Sequence, residues 1–183
     1  MPDDLSRRLC DPDRLAAWLD TEGLAPRAPL EVARITTGHS NEVFRVERGD
    51  LVAVLRRPPR TPLSPTAHDM AREFRVLTAF HDPAGWGTHA PVPVPDPIAL
   101  CTDTDVIGAP FYVMTLVEGV VLDSVEKAVS LPAVRRRDAA FDLVDVLAEL
   151  HLVDIDAAGL GDLAKRTGYV DRQLNRGSPP GGG

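Results

Sequence analysis

Hydrophobic and polar positions alternate in short runs through the first part of the chain, a pattern typical of β-strands. Turn-forming residues separate the runs, and Gly49–Asp50 between the second and third predicts a tight hairpin turn. In the second run Val43 and Val46 fall on opposite faces, so we expect mixed rather than strictly alternating burial. The predicted strands are residues 31–36, 42–48, 51–55, 97–101 and 110–116.

In other segments apolar residues recur every three or four positions, which predicts helices. Asp11 as an N-cap before Pro12 predicts a first helix, which Gly23 ends. A second helix is predicted to open at 64–66 and a third, longer one at 130–132, each with an apolar face. The face of the second helix is Ala67, Met70, Phe74 and Leu77, and that of the third is Ala140, Leu143, Val144, Leu147, Leu150 and His151.

The pattern changes from strands to helices near Gly119, which predicts two structural parts. The expected fold class is α+β, with a five-stranded antiparallel sheet and a packed helix followed by helices alone. A last helical segment is predicted from Tyr169, before a tail without apolar residues. The predicted parts are an N-terminal helix at 1–29, a sheet-containing part at 30–118, a helical part at 119–176 and a disordered tail at 177–183.

Composition and charge narrow the classes of function. The 183 residues are 44% hydrophobic and 26% charged, and the net charge of -7 argues against general nucleic-acid binding. The most apolar stretch, 106–122, contains Gly, Pro and Glu residues and does not predict a membrane span. The N-terminus predicts no signal peptide, and Cys10 and Cys101 are expected to be inert thiols. A cytoplasmic protein is therefore predicted.

The turn after the first predicted strand contains residue types that bind phosphate. Gly38, Ser40 and Asn41 lie in it, and backbone N–H groups in such a turn can point at phosphate oxygens. The turn lacks the G-x-G-x-x-G spacing of nucleotide-binding loops, and an ordinary hairpin turn is the more common explanation.

A cation and a carboxylate could meet between the third strand and the second helix. Arg56 closes the strand and could bind phosphate through two N–H groups; alternatively it is an edge arginine in a solvated run with Arg57 and Arg60. Glu73 lies beside the apolar face of the helix and could pair with Arg56; alternatively it forms a surface ion pair. The relative position of the two side chains decides between these interpretations.

Two other features have simpler alternatives. The last predicted strand could be a hinge whose backbone at Thr115 and Val117 bonds an adenine edge, or it is a core strand. Asp103 and Asp105 resemble a metal pair, but two acids in the polar turn 102–105 more often serve the turn itself.

The order of five segments is more specific than any one of them. They are T-G-H-S-N-E-V-F at 37–44, V-L-R-R-P-P at 54–59, R-E-F-R-V-L at 72–77, G-A-P-F-Y-V-M at 108–114 with V-E-G at 117–119, and L-A-E-L-H at 147–151. This succession resembles the aminoglycoside phosphotransferase family over about residues 30–176. Within that family it resembles the branch related to the kinase-like domain of acyl-CoA dehydrogenase family members 10 and 11.

The resemblance implies a protein-kinase-like fold and ATP-dependent phosphorylation of a small-molecule hydroxyl group. It makes 30–118 the nucleotide-binding lobe and 119–176 the start of a helical lobe, and it implies Mg²⁺ in the complete enzyme. Gly38, Ser40 and Asn41 then lie in the nucleotide-positioning loop, Arg56 replaces the phosphate-binding lysine, Glu73 pairs with it, and Met114, Thr115 and Val117 lie in the hinge.

One departure from the family pattern is large. The catalytic loop H-G-D-x-x-x-x-N and the metal-binding aspartate motif are expected after the Tyr169 segment, and the sequence contains neither. We therefore expect no catalytic base and no metal ligands in this chain, and interpret it as a truncated or frameshifted family member. The alternative is a catalytically inactive remnant that binds a nucleotide or a partner, with self-association through the exposed face of the long helix.

Overall fold

The computed structural model describes residues 4–35, 41–59, 68–81, 92–163 and 167–168, which form one five-stranded antiparallel sheet with helices around and after it. The strands are β1 Leu30–Ile35, β2 Glu42–Arg48, β3 Leu51–Arg57, β4 Pro97–Cys101 and β5 Phe111–Thr115. The helices are α1 Asp4–Leu9, α2 Pro12–Thr21, α3 Met70–His81, α4 Thr104–Ile107, α5 Val125–Ser130 and α6 Ala133–Leu152.

The strand order is β1-β2-β3-β5-β4, and every neighbouring pair is antiparallel. β3 is the central strand and pairs with β2 on one side and β5 on the other. The α+β class and the five-stranded antiparallel sheet are therefore confirmed. The predicted helix start at 64–66, the segment from Tyr169 and the tail at 177–183 lie outside the described residues.

Burial along β2 differs from the prediction. Buried and half-buried residues alternate strictly from Glu42 to Arg48, so the expectation of mixed burial was wrong. The buried positions include Glu42 and Arg48 as well as Phe44 and Val46. A charged residue with buried partners follows the same period of two as an apolar residue, and hydrophobicity alone does not reveal it.

The polar turn predicted at 102–105 contains a short helix instead. Asp103 is the N-cap of α4, and its side chain accepts a hydrogen bond from the backbone N–H of Asp105 at 2.8 Å. Gly108 ends the helix in the left-handed conformation, with φ of 81°. Asp103 therefore stabilises the local backbone, in agreement with the interpretation that Asp103 and Asp105 serve the turn itself.

The core lies between one face of the sheet and α1, α2 and α4, two helices that precede the sheet and one that connects β4 to β5. α2 begins at the predicted cap, because the Asp11 side chain accepts from the backbone N–H groups of Asp13 and Arg14. Trp18 meets the ring of Phe111 edge-on at 4.8 Å. The buried cluster is Leu9, Cys10, Leu15, Leu19, Phe44, Val46, Ala53, Leu55, Cys101, Ile107, Phe111 and Val113.

Arg48 connects α2 and the segment after it to the sheet. Its side chain is 2% exposed and donates to the carbonyl oxygens of Ala16 at 2.9 Å and Ala28 at 3.1 Å. It also pairs with Asp20 Oδ1 at 2.6 Å. Hydrogen bonds from a backbone N–H and from Arg48 hold the pKa of Asp20 below its ordinary value, the backbone N–H of Arg27 contributing most.

The chain after β5 is helical and presents apolar side chains to solvent. α6 begins directly after Pro132, close to the predicted start. Phe141, Leu143, Val144 and Leu147 are each about half exposed or more, and His151 is exposed in the last turn. No helix in the part of the chain that the structure describes is long and apolar enough to cross a membrane.

Replacing Arg48 with methionine is expected to lower the free energy of unfolding by about 2–4 kcal/mol, because two backbone carbonyl oxygens and Asp20 lose a buried charged donor. The matched control is Arg45→Met, because Arg45 pairs with Glu47 at 2.6 Å with both side chains partly exposed. That change should cost about 1 kcal/mol or less. Urea denaturation of both variants measures the difference, and equal losses would contradict the structural role of Arg48.

The buried thiols predict an alkaline limit to stability. Burial raises the pKa of Cys10 from 9.0 to about 12, and burial also raises the pKa of Cys101. Unfolding exposes thiols that ionise more easily, so their contribution is complete below pH 9.0 and lost as the pH rises towards 12.

A Cys10→Ala variant should therefore lose less stability than the wild type across this pH range, measured by denaturation below and above pH 9.0. In the wild type both thiols should resist alkylation until the protein unfolds. Rapid alkylation of both thiols under native conditions would refute their burial.

Candidate functional site

Strand β3 presents neighbouring arginines to opposite faces of the sheet. Leu55 points into the core, so Arg56 points to the other face, where α3 lies. Arg56 Nε lies 3.0 Å from Glu73 Oε2, with the two side chains 36% and 29% exposed. The predicted pair between strand and helix is present, and it remains accessible to a ligand from solvent.

Arg57 has the opposite environment from Arg56. It is 7% exposed and donates to the carbonyl oxygen of Ile107 at 2.8 Å and to that of Leu9. The alternative of a solvated arginine run is therefore wrong for Arg57, because backbone acceptors from two helices surround its guanidinium. Arg60 lies outside the described residues.

Tyr112 contacts the Arg56–Glu73 pair from the buried side, and the sequence predicted no role for this residue. It lies opposite Arg56 in the β3–β5 register, and its hydroxyl donates to Glu73 Oε2 at 3.3 Å. The ring is 2% exposed and packs against Phe74, with ring centroids 6.0 Å apart. Burial raises the pKa of Tyr112 to about 12, so the phenol is a neutral donor at ordinary pH.

Apolar side chains continue the same face of the sheet next to Arg56. Val54 lies opposite Met114, and Val43 lies opposite Arg56. Val54 is buried, and Val43 and Met114 are half-buried. We call Val43, Val54 and Met114 the apolar shelf. A flat apolar group could lie on it with its charged end at the guanidinium.

A cleft of about 400 Å³ separates β3 from the start of α3. Arg56, Glu73 and Tyr112 line it together with His68, Asp69 and Arg72, so two guanidinium groups and two carboxylates face the same space. Met114, Thr115 and Val117 are not among its lining residues. The pair therefore borders two surfaces, this cleft and the apolar shelf.

The end of β5 is held by the residue that precedes β4. The backbone N–H of Thr115 donates to the carbonyl oxygen of Asp96 at 2.9 Å. The Thr115 hydroxyl accepts from the backbone N–H of Asp96 at 2.9 Å, a role that the sequence did not indicate. Val117 lies two residues after the strand and is 67% exposed.

The connection between β1 and β2 begins and ends beside Arg56. Ile35, the last residue of β1, pairs with Val43, which in turn pairs with Arg56. Asn41 directly precedes β2 and is half-buried. Gly38 and Ser40 lie outside the described residues, so their predicted role as phosphate ligands stays a prediction.

α3 is also attached to the segment that follows α6. Arg75 donates to both carboxylate oxygens of Asp162, at 2.9 Å and 2.7 Å, and to the carbonyl oxygen of Gly159. These hydrogen bonds from Arg75 are the main cause that lowers the pKa of Asp162. No sequence signal pointed to this contact, because its partners are 87 residues apart.

Metal ligands are not grouped in the described part of the chain. Across residues 4–35, 41–59, 68–81, 92–163 and 167–168, no three or more His, Cys, Asp or Glu side chains are placed to hold a metal ion. We therefore derive no metal-dependent step from these residues.

The family model described as "Phosphotransferase enzyme family" matches residues 31–180 of this chain. The chain belongs to this family. The match agrees closely with the stretch of about 30–176 that carried the resemblance in the sequence, and the phosphotransferase family named there is confirmed.

Relatives in longer proteins share the same segment. Acyl-CoA dehydrogenase family member 11 of Gallus gallus is 36% identical over 152 residues, covering 82% of this chain and 18% of the relative. Acyl-CoA dehydrogenase family member 10 of Mus musculus is 34% identical over 155 residues, covering 83% of this chain and 14% of the relative. The chain thus spans less than a fifth of either relative.

A solved structure shares the fold. The "putative aminoglycoside phosphotransferase" from Ralstonia eutropha JMP134 matches with a TM-score of 0.66 and 34% identity. The match covers 90% of this chain and 45% of that one. The sheet and helices of this family member thus have the kinase-like architecture that the sequence predicted.

Proposed function

We propose that this family member supplies the ATP-binding half of a kinase that phosphorylates a hydroxyl group of a small molecule. The observation that carries the proposal is the 3.0 Å pair of Arg56 with Glu73 beside the apolar shelf. A nucleotide has a flat apolar end and an anionic end, and this face of the sheet offers a surface for each.

Arg56 is the proposed phosphate ligand. A guanidinium carries five N–H groups in a rigid fork, so an arginine can hold a carboxylate and a phosphate oxygen together. Pairing with Glu73 through Nε fixes the direction of the fork. Charge-assisted hydrogen bonds to phosphate are about twice as strong as neutral ones. Arg56 therefore anchors the anionic end of the nucleotide.

The apolar shelf is the proposed adenine surface. Val54 and Met114 lie side by side on adjacent strands, which leaves an apolar area next to the end of β5. The Thr115 N–H is already bonded to Asp96, so we assign the adenine contacts to the Thr115 carbonyl and the Val117 N–H. Backbone contacts of this kind tolerate a change of side chain at Thr115.

The turn predicted from the sequence at 37–41 is the proposed cover of the phosphates. β1 ends and β2 begins at the Arg56 end of the sheet, which supports a phosphate-binding role for Gly38, Ser40 and Asn41. Backbone N–H groups in a turn can bind phosphate oxygens without a charged side chain. Mg²⁺ would accompany the nucleotide in the complete enzyme, with ligands other than those described.

Nucleotide binding tests the proposal directly. Calorimetric titration with ATP should show binding to the wild type and at least about tenfold weaker binding to Arg56→Met, because a charge-assisted contact is lost. Arg34→Met is the matched control, because Arg34 also pairs with a glutamate, Glu42, but on the opposite face of the sheet. Similar losses in the two variants would reject a specific role for Arg56.

Phosphate transfer itself should be undetectable with residues 1–183 alone. Catalysis of phosphoryl transfer needs a residue that orients the acceptor hydroxyl, and the sequence contains no H-G-D-x-x-x-x-N segment to supply one. Radiolabelled ATP with a panel of hydroxyl-bearing acceptors provides the assay. Metal-dependent turnover by the purified chain would contradict the assignment of only the nucleotide-binding half.

A catalytically inactive remnant that binds a partner is the second candidate. The exposed apolar side chains of α6 favour it, because surfaces of this kind promote association. It predicts that ATP leaves the melting temperature unchanged while the protein self-associates with rising concentration. Sedimentation measured beside thermal denaturation separates the two candidates.

A further inference from the structure

We propose that Tyr112 is a positioning residue that holds Glu73 in place while Arg56 binds phosphate. The inference rests on the proposed nucleotide-binding function and extends it to a residue that does not touch the nucleotide. Its basis is geometric: the Tyr112 hydroxyl and Arg56 Nε contact the same oxygen, Glu73 Oε2, at 3.3 Å and 3.0 Å.

The two donors differ in mobility. The Tyr112 ring is 2% exposed, lies within β5 and packs against Phe74, the residue that follows Glu73 on α3. The Arg56 side chain is 36% exposed and has more rotatable bonds. Packing in the folded protein has already restricted the phenol, so its contact with Glu73 requires little further ordering. The tyrosine therefore fixes the carboxylate from the buried side.

The two donors also differ in charge. A phosphate group that binds Arg56 shares the guanidinium with Glu73 and weakens the attraction between Arg56 and that carboxylate. A phenol with a pKa of about 12 stays protonated and neutral, so it donates to Glu73 without attracting the phosphate as a second cation would. Glu73 keeps one partner while Arg56 is shared, and the guanidinium keeps its direction.

The test compares two ligands that differ in their phosphates. Tyr112→Phe removes only the hydroxyl, and Tyr169→Phe removes the same group from the other tyrosine as a control. ATP should bind Tyr112→Phe about fivefold more weakly than the wild type, because only part of the effect of one hydrogen bond to a charged group reaches the phosphate contact. Adenosine, which lacks phosphates, should bind Tyr112→Phe and the wild type with equal affinity. Tyr169→Phe should match the wild type for both ligands.

If Tyr112 has only a structural role, its replacement should weaken the binding of ATP and of adenosine equally. That result would overturn the proposal, and so would an unchanged affinity for ATP. A wild type that binds neither ligand overturns the nucleotide-binding function itself and the role of Tyr112 with it.

A second measurement does not depend on ligands: urea denaturation of Tyr112→Phe, Glu73→Gln and the double variant. We expect a coupling of about threefold or more in the unfolding equilibrium constant. Additive effects would show that the two side chains do not interact.

Discussion

The register between β3 and β5 determines which side chains form the site. It places Arg56 opposite Tyr112 and Val54 opposite Met114, so a cation, its support and an apolar surface share one face. Because side chains alternate along a strand, a slip of one residue would turn Arg56 into the core and expose Leu55. Burial of Leu55 in the core therefore stabilises the position of Arg56, although the two side chains lie on opposite faces.

Helices cover one face of the sheet to form the core, and the other face carries the proposed ligand-binding surfaces. α1, α2 and α4 supply the side chains and carbonyl groups that cover the core face, including the acceptors around Arg57. α3 packs on the other face, where it contacts β4 and β5. The proposed nucleotide would bind on this second face, because the core occupies the first.

Much of this could be predicted from sequence, for identifiable reasons. The strands and the hairpin followed from a period of two and a Gly-Asp turn, and the Arg56–Glu73 pair followed from the order of segments in the resemblance. Tyr112 could not be assigned, because an apolar strand residue shows no sign that its hydroxyl reaches a helix. Arg48 and Arg57 were missed because their acceptors are mainly backbone carbonyls, which exist at every position and become specific only in the folded chain.

The attachment of Arg75 to Asp162 has a consequence for the movement of α3. Glu73 and Arg75 are two residues apart, which places them about 200° from each other around the helix axis. A large rotation of α3 about this axis would therefore strain the contact with β3 and the contact with residues 159–162 together. The Arg56–Glu73 pair is for this reason coupled through α3 to residues 159–162. A displacement of that segment would change the position of Glu73 relative to Arg56.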